Sequence, residues 1–205
     1  MRIYDITLPI QPNLAVWFGD TPYSQIIQCA IEEGATVNLS SVTLSLHTGT
    51  HADAPYHYSS QGMGIDEVDL NAYIGAAYLL DVSGKAVITV EDVAGVDLRA
   101  YPRLLLRTGG WRDHSQFPSE IPVLAPDVPD YLGRQGVILL GLDVPSVDAI
   151  ESKTLSNHHA LGRNRIAILE SLALEGVPEG TYELIALPLP FAGADGSPVR
   201  AILRG

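Results

Sequence analysis

Cysteine is nearly absent from this sequence, which has Cys29 as its single example among 205 residues. One thiol cannot form a disulfide within the chain, and it excludes the structural zinc sites that are built from several thiolates. Cys29 follows an apolar run at residues 26–27, which predicts a small buried side chain and makes a catalytic nucleophile the weaker alternative.

Basic residues are also scarce, since 12 lysines and arginines accompany 24 aspartates and glutamates and leave a formal net charge of −12. A surface that binds nucleic acid needs a basic patch, and the few cationic residues here are scattered along the chain. The composition therefore predicts that nucleic acid is not a partner.

Long hydrophobic runs are missing as well. No stretch of about 18 consecutive apolar residues occurs, so the sequence predicts no membrane-spanning segment. The first residues, Met-Arg-Ile-Tyr-Asp-Ile, have a strand-like pattern and lack the charged head and apolar block of a signal peptide. We therefore expect a cytoplasmic protein that has no membrane partner.

The apolar fraction of 46% is typical of a globular protein, and we expect residues 1–205 to form one domain. β-Branched or alternating apolar runs predict strands at residues 2–8, 24–30, 37–46, 77–82, 103–108, 137–143, 166–170, 182–189 and 198–203. Capping residues predict short helices after Thr89, from 126 to 135 before Gly136, and after Asn157. The expected fold is α/β, with a mixed, mainly β core flanked by short helices and a final hairpin that turns at residues 193–196.

Chemically reactive side chains are concentrated at residues 47–57, His-Thr-Gly-Thr-His-Ala-Asp-Ala-Pro-Tyr-His. Imidazole and carboxylate groups together suit a borderline divalent ion such as zinc, or less often manganese. The Thr-Gly-Thr segment is poor helix material, so we expect a turn there, followed by an extended segment on which His51 and Asp53 point the same way. His47, His51 and Asp53 are therefore candidate metal ligands, and His57 is a candidate acid or base.

Two further candidates lie far from this motif. His158 stands at a predicted helix start, and Glu170 ends an apolar run. A buried glutamate is costly unless a cation balances it, so a metal would explain Glu170, although an exposed residue at a strand end fits the pattern equally well. Trp17 stands in a Pro-rich segment, where it is either a lid over the core or a flat wall for a planar substrate.

The motif at residues 47–57 resembles the His-x-Gly-Thr-His-x-Asp-x-Pro-x-His signature of the metal-dependent cyclase-like hydrolase family. Within that family the chain is similar to the bacterial kynurenine formamidase group nearly from end to end, including residues 16–22, 151–155, 168–170 and 197–200. The resemblance implies the cyclase-like, swivelling β/α type of fold.

The resemblance also implies a site with two zinc ions, with manganese as the other candidate metal. The first ion would be bound by His47, His51, Asp53 and Glu170. Asp53 and Glu170 would bridge to a second ion, whose remaining protein ligand would be His158.

The activity that the resemblance implies is hydrolysis of the aryl formamide N-formyl-L-kynurenine to L-kynurenine and formate in tryptophan degradation, in a homodimer or larger homo-oligomer. His57 would be the catalytic acid/base, and Trp17 would contact the substrate. The signature does not separate this activity from that of another amide or lactam hydrolase of the family, such as an isatin hydrolase. A non-catalytic metal-binding protein is the alternative from a different class; the lack of thiolates and the spare imidazole of His57 disfavour it.

Overall fold

A nine-stranded mixed sheet and four short helices make up most of the regular structure in the computed structural model, which describes residues 1–205. The strands are β1 (Ile3–Asp5), β2 (Ser24–Cys29), β3 (Leu39–Thr43), β4 (His51–Asp53), β5 (Ile74–Asp81), β6 (Val87–Ile88), β7 (Arg103–Arg107), β8 (Val123–Leu124), β9 (Leu139–Leu142), β10 (Ala167–Glu170), β11 (Gly180–Ile185), β12 (Gly196–Pro198) and β13 (Ile202–Arg204). The helices are α1 (Pro55–Tyr58), α2 (Val90–Val93), α3 (Val128–Gln135) and α4 (Ser156–Arg163).

The large sheet has the strand order β1-β13-β11-β5-β7-β9-β10-β4-β12. Its centre, β5-β7-β9-β10, is parallel, and the remaining pairs are antiparallel. Each parallel connection contains one of the helices α2, α3 and α4, because parallel neighbours need a crossover. This confirms the predicted α/β fold with a mixed, mainly β core.

The sheet is curled, and chain connectivity shows why. Strand β12 is at one edge and β13 is next to the opposite edge, yet only residues 199–201 separate them in sequence. The two ends of the sheet must therefore approach each other. The backbone N–H of Val199 donates to Thr50 O beside β4, whereas Ala201 O accepts from Ile6 N–H beside β1. Curling therefore brings β4, the strand of the histidine motif, towards β1 and β13, which carry the two chain ends.

Both faces of the sheet are buried. Leu104 and Leu106 belong to a cluster of 20 buried residues on one face, and Leu105 and Leu139 belong to a cluster of 18 on the other. Successive side chains of a strand point to opposite faces, so the apolar run of β7 serves both clusters. The similar size of the clusters explains why the central strands have continuous apolar sequences rather than an alternating pattern.

Several predicted elements are confirmed. Helix α3 ends at Gly136, which has a φ of 85°, and Thr89 forms a capping box with Asp92 at the start of α2. The first strand is an edge strand, although it is shorter than residues 2–8. No helix of this structure has the length and apolarity that a membrane crossing requires.

The predicted C-terminal hairpin is wrong. Strands β11 and β13 do pair in antiparallel fashion, but residues 193–196 do not join them directly. The segment between them runs across the molecule instead, where β12 pairs with β4. Strand β11 ends at Ile185, and Pro188 and Pro190, which lack an N–H donor, do not allow the following segment to extend it.

The N-cap assigned to Asn157 is also wrong, because α4 begins one residue earlier and Asn157 lies inside it. Its side-chain amide donates to Val147 O at 2.9 Å, and the carboxylate of Asp148 caps the helix instead. The local sequence predicted a cap from Asn157, but the cap comes from Asp148, which lies in the preceding loop.

Strands β2 and β3 form a separate two-stranded ribbon, and it carries Cys29. The prediction of a buried thiol is wrong, since Cys29 is half-buried and its Sγ is 3.5 Å from Val37 O. Ile26 and Ile27 of the same ribbon are 63% and 70% exposed, so the β-branched residues that predicted the strand do not place it in the core.

Candidate metal centre

The histidine motif is partly a strand rather than a loop at a strand end. Residues His51–Asp53 form β4, which lies inside the sheet between β10 and β12. His51 and Asp53 are two residues apart and therefore face the same side, as expected. The antiparallel register places Glu170 of β10 directly opposite His51, so the glutamate joins the same face. Glu170 is 4% exposed, which rejects the alternative of a solvated strand end.

His47 reaches this face from the turn that precedes β4. Gly49 has a φ of 67°, a conformation that favours glycine, and packs closely against Leu14. On the other side of β4, a Cβ atom added to Gly196 would lie 3.0 Å from the ring of His47 and 3.0 Å from the carbonyl oxygen of Ala52. The absence of a side chain at residue 196 therefore makes room for the imidazole of His47.

His158 comes from the first turn of α4, more than 100 residues later in the chain. Asp148 holds both the helix and the histidine, because its carboxylate accepts from the backbone N–H groups of Asn157 and His158 and from the ring of His158 at 2.7 Å. Leu155, just before the helix, has a left-handed φ of 45°. This tight entry points the start of α4 towards β4 and β10.

The five predicted ligands converge. Oδ1 of Asp53 is 3.0 Å from His47 Nδ1 and 3.4 Å from His51 Nε2, whereas Oδ2 is 3.4 Å from His158 Nε2. Glu170 has the same two-sided arrangement, with Oε2 3.5 Å from His51 Nε2 and Oε1 3.6 Å from His158 Nε2. Each carboxylate therefore has one oxygen near His51 and the other oxygen near His158.

Hydrogen bonds on the outer side determine which ring nitrogen of each histidine faces the cluster. His51 Nδ1 is 2.8 Å from Gly49 O, and a carbonyl oxygen only accepts, so this nitrogen is the donor. His158 Nδ1 likewise donates to Asp148, and His47 Nε2 donates to Asp195 at 3.1 Å. The other nitrogen of each ring faces Asp53 and offers a lone pair there once its proton is displaced, which is the arrangement typical of metal-bound histidine.

Three inward-facing atoms are buried without a hydrogen-bond partner: His51 Nε2 and both carboxylate oxygens of Asp53. Asp53 is 3% exposed, and buried polar atoms of this kind are costly unless something satisfies them. Metal bonds of about 2.0–2.1 Å in a tetrahedral arrangement put neighbouring donor atoms about 3.3 Å apart. The separations of 3.0–3.6 Å in this cluster therefore fit a divalent metal ion.

The electrostatics of the cluster favour positive charge at its centre. Burial lowers the pKa of His51, but Asp53 and Glu170 outweigh that effect and raise it to about 10. Burial also lowers the pKa of His158, and Asp148 and Asp53 raise it to about 10. Burial raises the pKa of Asp53, yet the neighbouring histidine rings, with His158 the strongest influence, hold it well below its usual value. Protons occupy the cluster when no metal does.

His57 has a different environment from the other histidines of the motif. It lies on α1, which Pro55 begins, and its side chain is 32% exposed. Burial is the main cause that lowers its pKa, so the ring is neutral at pH 7 and can accept a proton. Its ring centroid is 4.1 Å from that of His47, and its ligating atom lies within 4.8 Å of those of Asp53 and His158. The geometry alone allows both a proton-transfer role and a ligand role.

An open cleft of about 310 Å³ leads to the cluster. Its floor contains the three inward-facing histidines, His47, His51 and His158, together with Glu170 and His57. Its walls are Trp17, Asp20, Phe117, Pro145, Ser146 and Leu155. Trp17 packs against Phe117 with ring centroids 5.2 Å apart, and 41% of its surface is exposed. The predicted aromatic wall is thus present in the cleft.

Four residues of this region were missed in the sequence. Asp148 and Asp195 orient histidines, Phe117 completes the aromatic wall, and Gly196 makes room for His47. Phe117 lies in a polar segment whose sequence predicts only a loop. The two aspartates have no spacing relation to the histidines that they contact, so no sequence pattern indicated them.

The family model described as "Putative cyclase" matches residues 4–149. The kynurenine formamidase of Bacillus cytotoxicus is 44% identical over 200 residues, which cover 98% of this chain and 96% of that protein. The chain belongs to the cyclase family. The resemblance inferred from the histidine motif is therefore confirmed.

Solved structures of other cyclase-family proteins have the same fold. "The Structure Of Potential Metal-Dependent Hydrolase With Cyclase Activity" is 27% identical, with a TM-score of 0.80 over 98% of this chain and 96% of that one. The isatin hydrolase A of Labrenzia aggregata, bound to benzyl benzoate, has a TM-score of 0.82 over 98% of this chain and 93% of that one. At 22% identity, the isatin hydrolase supports the fold alone.

Proposed function

We propose that this member of the cyclase family hydrolyses N-formyl-L-kynurenine to L-kynurenine and formate, with a divalent metal bound at the cluster of His47, His51, Asp53, His158 and Glu170. The observation that carries the chemistry is the unsatisfied carboxylate of Asp53, which is buried behind three imidazoles that line the floor of an open cleft. The substrate class rests on the 44% identity to a kynurenine formamidase over nearly the whole of both chains.

We propose zinc as the metal, with two ions per subunit and manganese as the other candidate. Three imidazole donors suit zinc better than the hard ions calcium and magnesium, which prefer oxygen ligands. The two-sided contacts of Asp53 and Glu170 support a pair of ions bridged by carboxylates. His47 and His51 would bind one ion, and His158 would bind the other. Residues 1–205 would act as one domain, since one sheet carries all five ligands or their supporting segments.

A bound divalent ion supplies Lewis-acid chemistry, which makes water acidic enough to lose a proton near pH 7 and draws electron density from a carbonyl group. His57, with its neutral ring in the cleft, takes up the proton from water as the oxygen adds to the formyl carbon. It then gives that proton to the aryl nitrogen as the C–N bond breaks. The products are an arylamine and formic acid, which releases its proton to become formate, and His57 returns to its neutral form.

Trp17 would hold the aromatic ring of the substrate against the cleft wall. Its edge-to-face contact with Phe117 fixes the indole, and its exposed surface is open to the cleft. A stacked aromatic pair contributes about 0.5–1.5 kcal/mol beyond the burial of its area. The ring contact orients the ortho formamide group towards the floor.

The decisive experiment measures metal content and hydrolysis together, with N-formyl-L-kynurenine as substrate and isatin as control. Metal-dependent formation of kynurenine at a rate well above that of isatin opening is the expected result. The reverse preference would make the protein an isatin hydrolase, the alternative that the histidine signature leaves open. A metal-bound protein that is inert towards both compounds would indicate a non-catalytic role.

We also propose that the protein forms a homodimer or larger homo-oligomer. The support is the ribbon of β2 and β3, which leaves Ile26, Ile27, Leu39 and Val42 more than half exposed. Two-stranded ribbons are marginally stable by themselves, and a partner surface would cover these side chains. Light scattering coupled to size-exclusion chromatography tests this: a mass near 22.0 kDa would contradict it.

A further inference from the structure

The charged groups of the cleft are distributed unevenly. Besides the floor residues, Asp20 is the only charged side chain among those that line the cleft, and neither lysine nor arginine lines it. The cleft walls therefore offer an anionic group to a substrate but no cationic side chain. A substrate with an amino-acid tail has both an ammonium and a carboxylate group, and the two would meet very different surroundings.

Asp20 is held in a defined position beside the aromatic wall. Its backbone N–H donates to Trp17 O at 2.9 Å, and Gly19 between them has a φ of 85°. Oδ1 accepts the backbone N–H of Thr21 at 2.7 Å. Oδ2 has neither a hydrogen bond nor an ion pair within the chain. One turn thus fixes both the indole and a carboxylate with a free oxygen.

We propose that Asp20 binds the ammonium group of the substrate's amino-acid tail, and that the enzyme selects aryl formamides with a cationic amine rather than with a carboxylate. This inference rests on the proposed function, because it assigns a role in binding the substrate named there. Because Trp17 and Asp20 belong to one turn and both line the cleft, Asp20 lies near any ring that packs against Trp17. Asp20 is a specificity-determining residue in this assignment, and it takes no part in bond breaking.

The charge of the protein supports this selection. A hydrogen bond between an ammonium group and a carboxylate is stronger than one between neutral groups. A substrate carboxylate gains no matching partner from the cleft walls, and the net charge of −12 opposes its approach. Loss of a charged hydrogen-bond partner changes affinity by roughly 10- to 100-fold.

The first test uses the wild-type, metal-loaded enzyme and four substrates: N-formyl-L-kynurenine, its analogue without the carboxylate, its analogue without the amino group, and 2-formamidoacetophenone, which has neither. We expect the analogue without the carboxylate to keep kcat/KM within about threefold of the parent. The two compounds without an amino group should lose roughly 10- to 100-fold, mostly through KM. Equal kcat/KM for all four compounds, or a loss caused by removing the carboxylate, overturns the proposal.

The second test compares Asp20→Asn with Asp127→Asn. Asp127 is exposed and its side chain makes no hydrogen bond, so it is a matched control for the same chemical change. Asp20→Asn should lower kcat/KM roughly 10- to 100-fold for the two amines and leave 2-formamidoacetophenone within about twofold. A uniform loss on all substrates, or no loss on any, overturns the proposal.

The outcomes also separate this inference from the proposed function. If the metal-loaded wild type hydrolyses none of the four aryl formamides, the proposed function fails and the role of Asp20 fails with it. If all four are hydrolysed with equal efficiency, the aryl formamidase function stands and only the role of Asp20 is lost. The wild-type comparison needs no variant, so it decides the question even if Asp20→Asn folds poorly.

Discussion

The floor and the walls of the cleft are built in different ways. The floor consists of side chains from β4, β10 and α4, which are buried and held by strand register and by outer hydrogen bonds. The aromatic part of the walls comes from irregular segments around Trp17 and Phe117, which are held by a turn and by aromatic contacts. The difference indicates that metal binding depends on the rigid sheet, whereas substrate choice depends on loops that can change without disturbing it.

The most severe test of this division changes the centre of the floor. Asp53→Ala removes the carboxylate that faces all three imidazoles, so we expect loss of bound metal and at least a thousandfold loss of kcat. Metal analysis after dialysis, with Asp127→Asn as control, measures the first effect. Full metal content in the Asp53 variant would exclude a bridging role.

His57 also lies on the floor, and it tests whether every floor histidine binds the metal. If it moves protons and is not a ligand, His57→Ala should keep the metal and lower kcat by roughly 10²- to 10⁴-fold. Metal content and steady-state kinetics of the same preparation check both expectations. A metal-free His57→Ala protein would move this residue to the ligand set, which its distance from Asp53 and His158 permits.

The floor should also respond to pH in a way that the walls do not. Without metal, His51 and His158 have folded pKa values of about 10, above the value of 6.5 for an unperturbed histidine. Their contribution to stability is complete below pH 6.5 and is lost as pH rises through 10, so the metal-free protein should become less stable over that range.

Metal reverses this trend, because it must displace the same protons. Affinity should rise by up to about tenfold per pH unit for each proton released, and the difference in Tm between metal-loaded and chelator-treated protein should widen from pH 6.5 to 10. Thermal unfolding of both forms across this range tests the sign. A constant difference would show that the two histidines release no protons on binding.

Gly196 tests the floor more gently, from outside the ligand set. In Gly196→Ala the new methyl group would meet the ring of His47 and the backbone of Ala52 at 3.0 Å, so His47 must shift and metal affinity should fall roughly tenfold. Competition with a chelator measures this change. Gly95→Ala is the matched control, since nothing lies within 4 Å of the added atom. Equal metal affinities in the two variants would mean that the ring of His47 does not depend on the space left by Gly196.

The aromatic wall should give a small effect and a different signature. Trp17→Ala removes the aromatic surface, and we expect KM for N-formyl-L-kynurenine to rise roughly tenfold with metal content unchanged. Atomic absorption and kinetics of this variant complete the comparison. A loss of metal from Trp17→Ala would show that floor and walls are coupled and would contradict the division drawn here.

The sequence by itself determined the chemical core of the candidate site. His47, His51, Asp53 and His57 lie within eleven residues, and their side-chain chemistry indicated a metal before any fold was known. The extended segment that carries His51 and Asp53 on one face also followed from the sequence, because alternation along a strand is a local property.

Only the tertiary structure decided which distant residues complete the cleft. Glu170 faces His51 because of an antiparallel register, and Asp148 reaches His158 because a loop crosses the start of α4. Gly196 makes room for His47 because the curled sheet sends β12 to its far edge instead of closing the expected hairpin. Register and curling are set by packing across the whole sheet, so no local pattern contains them.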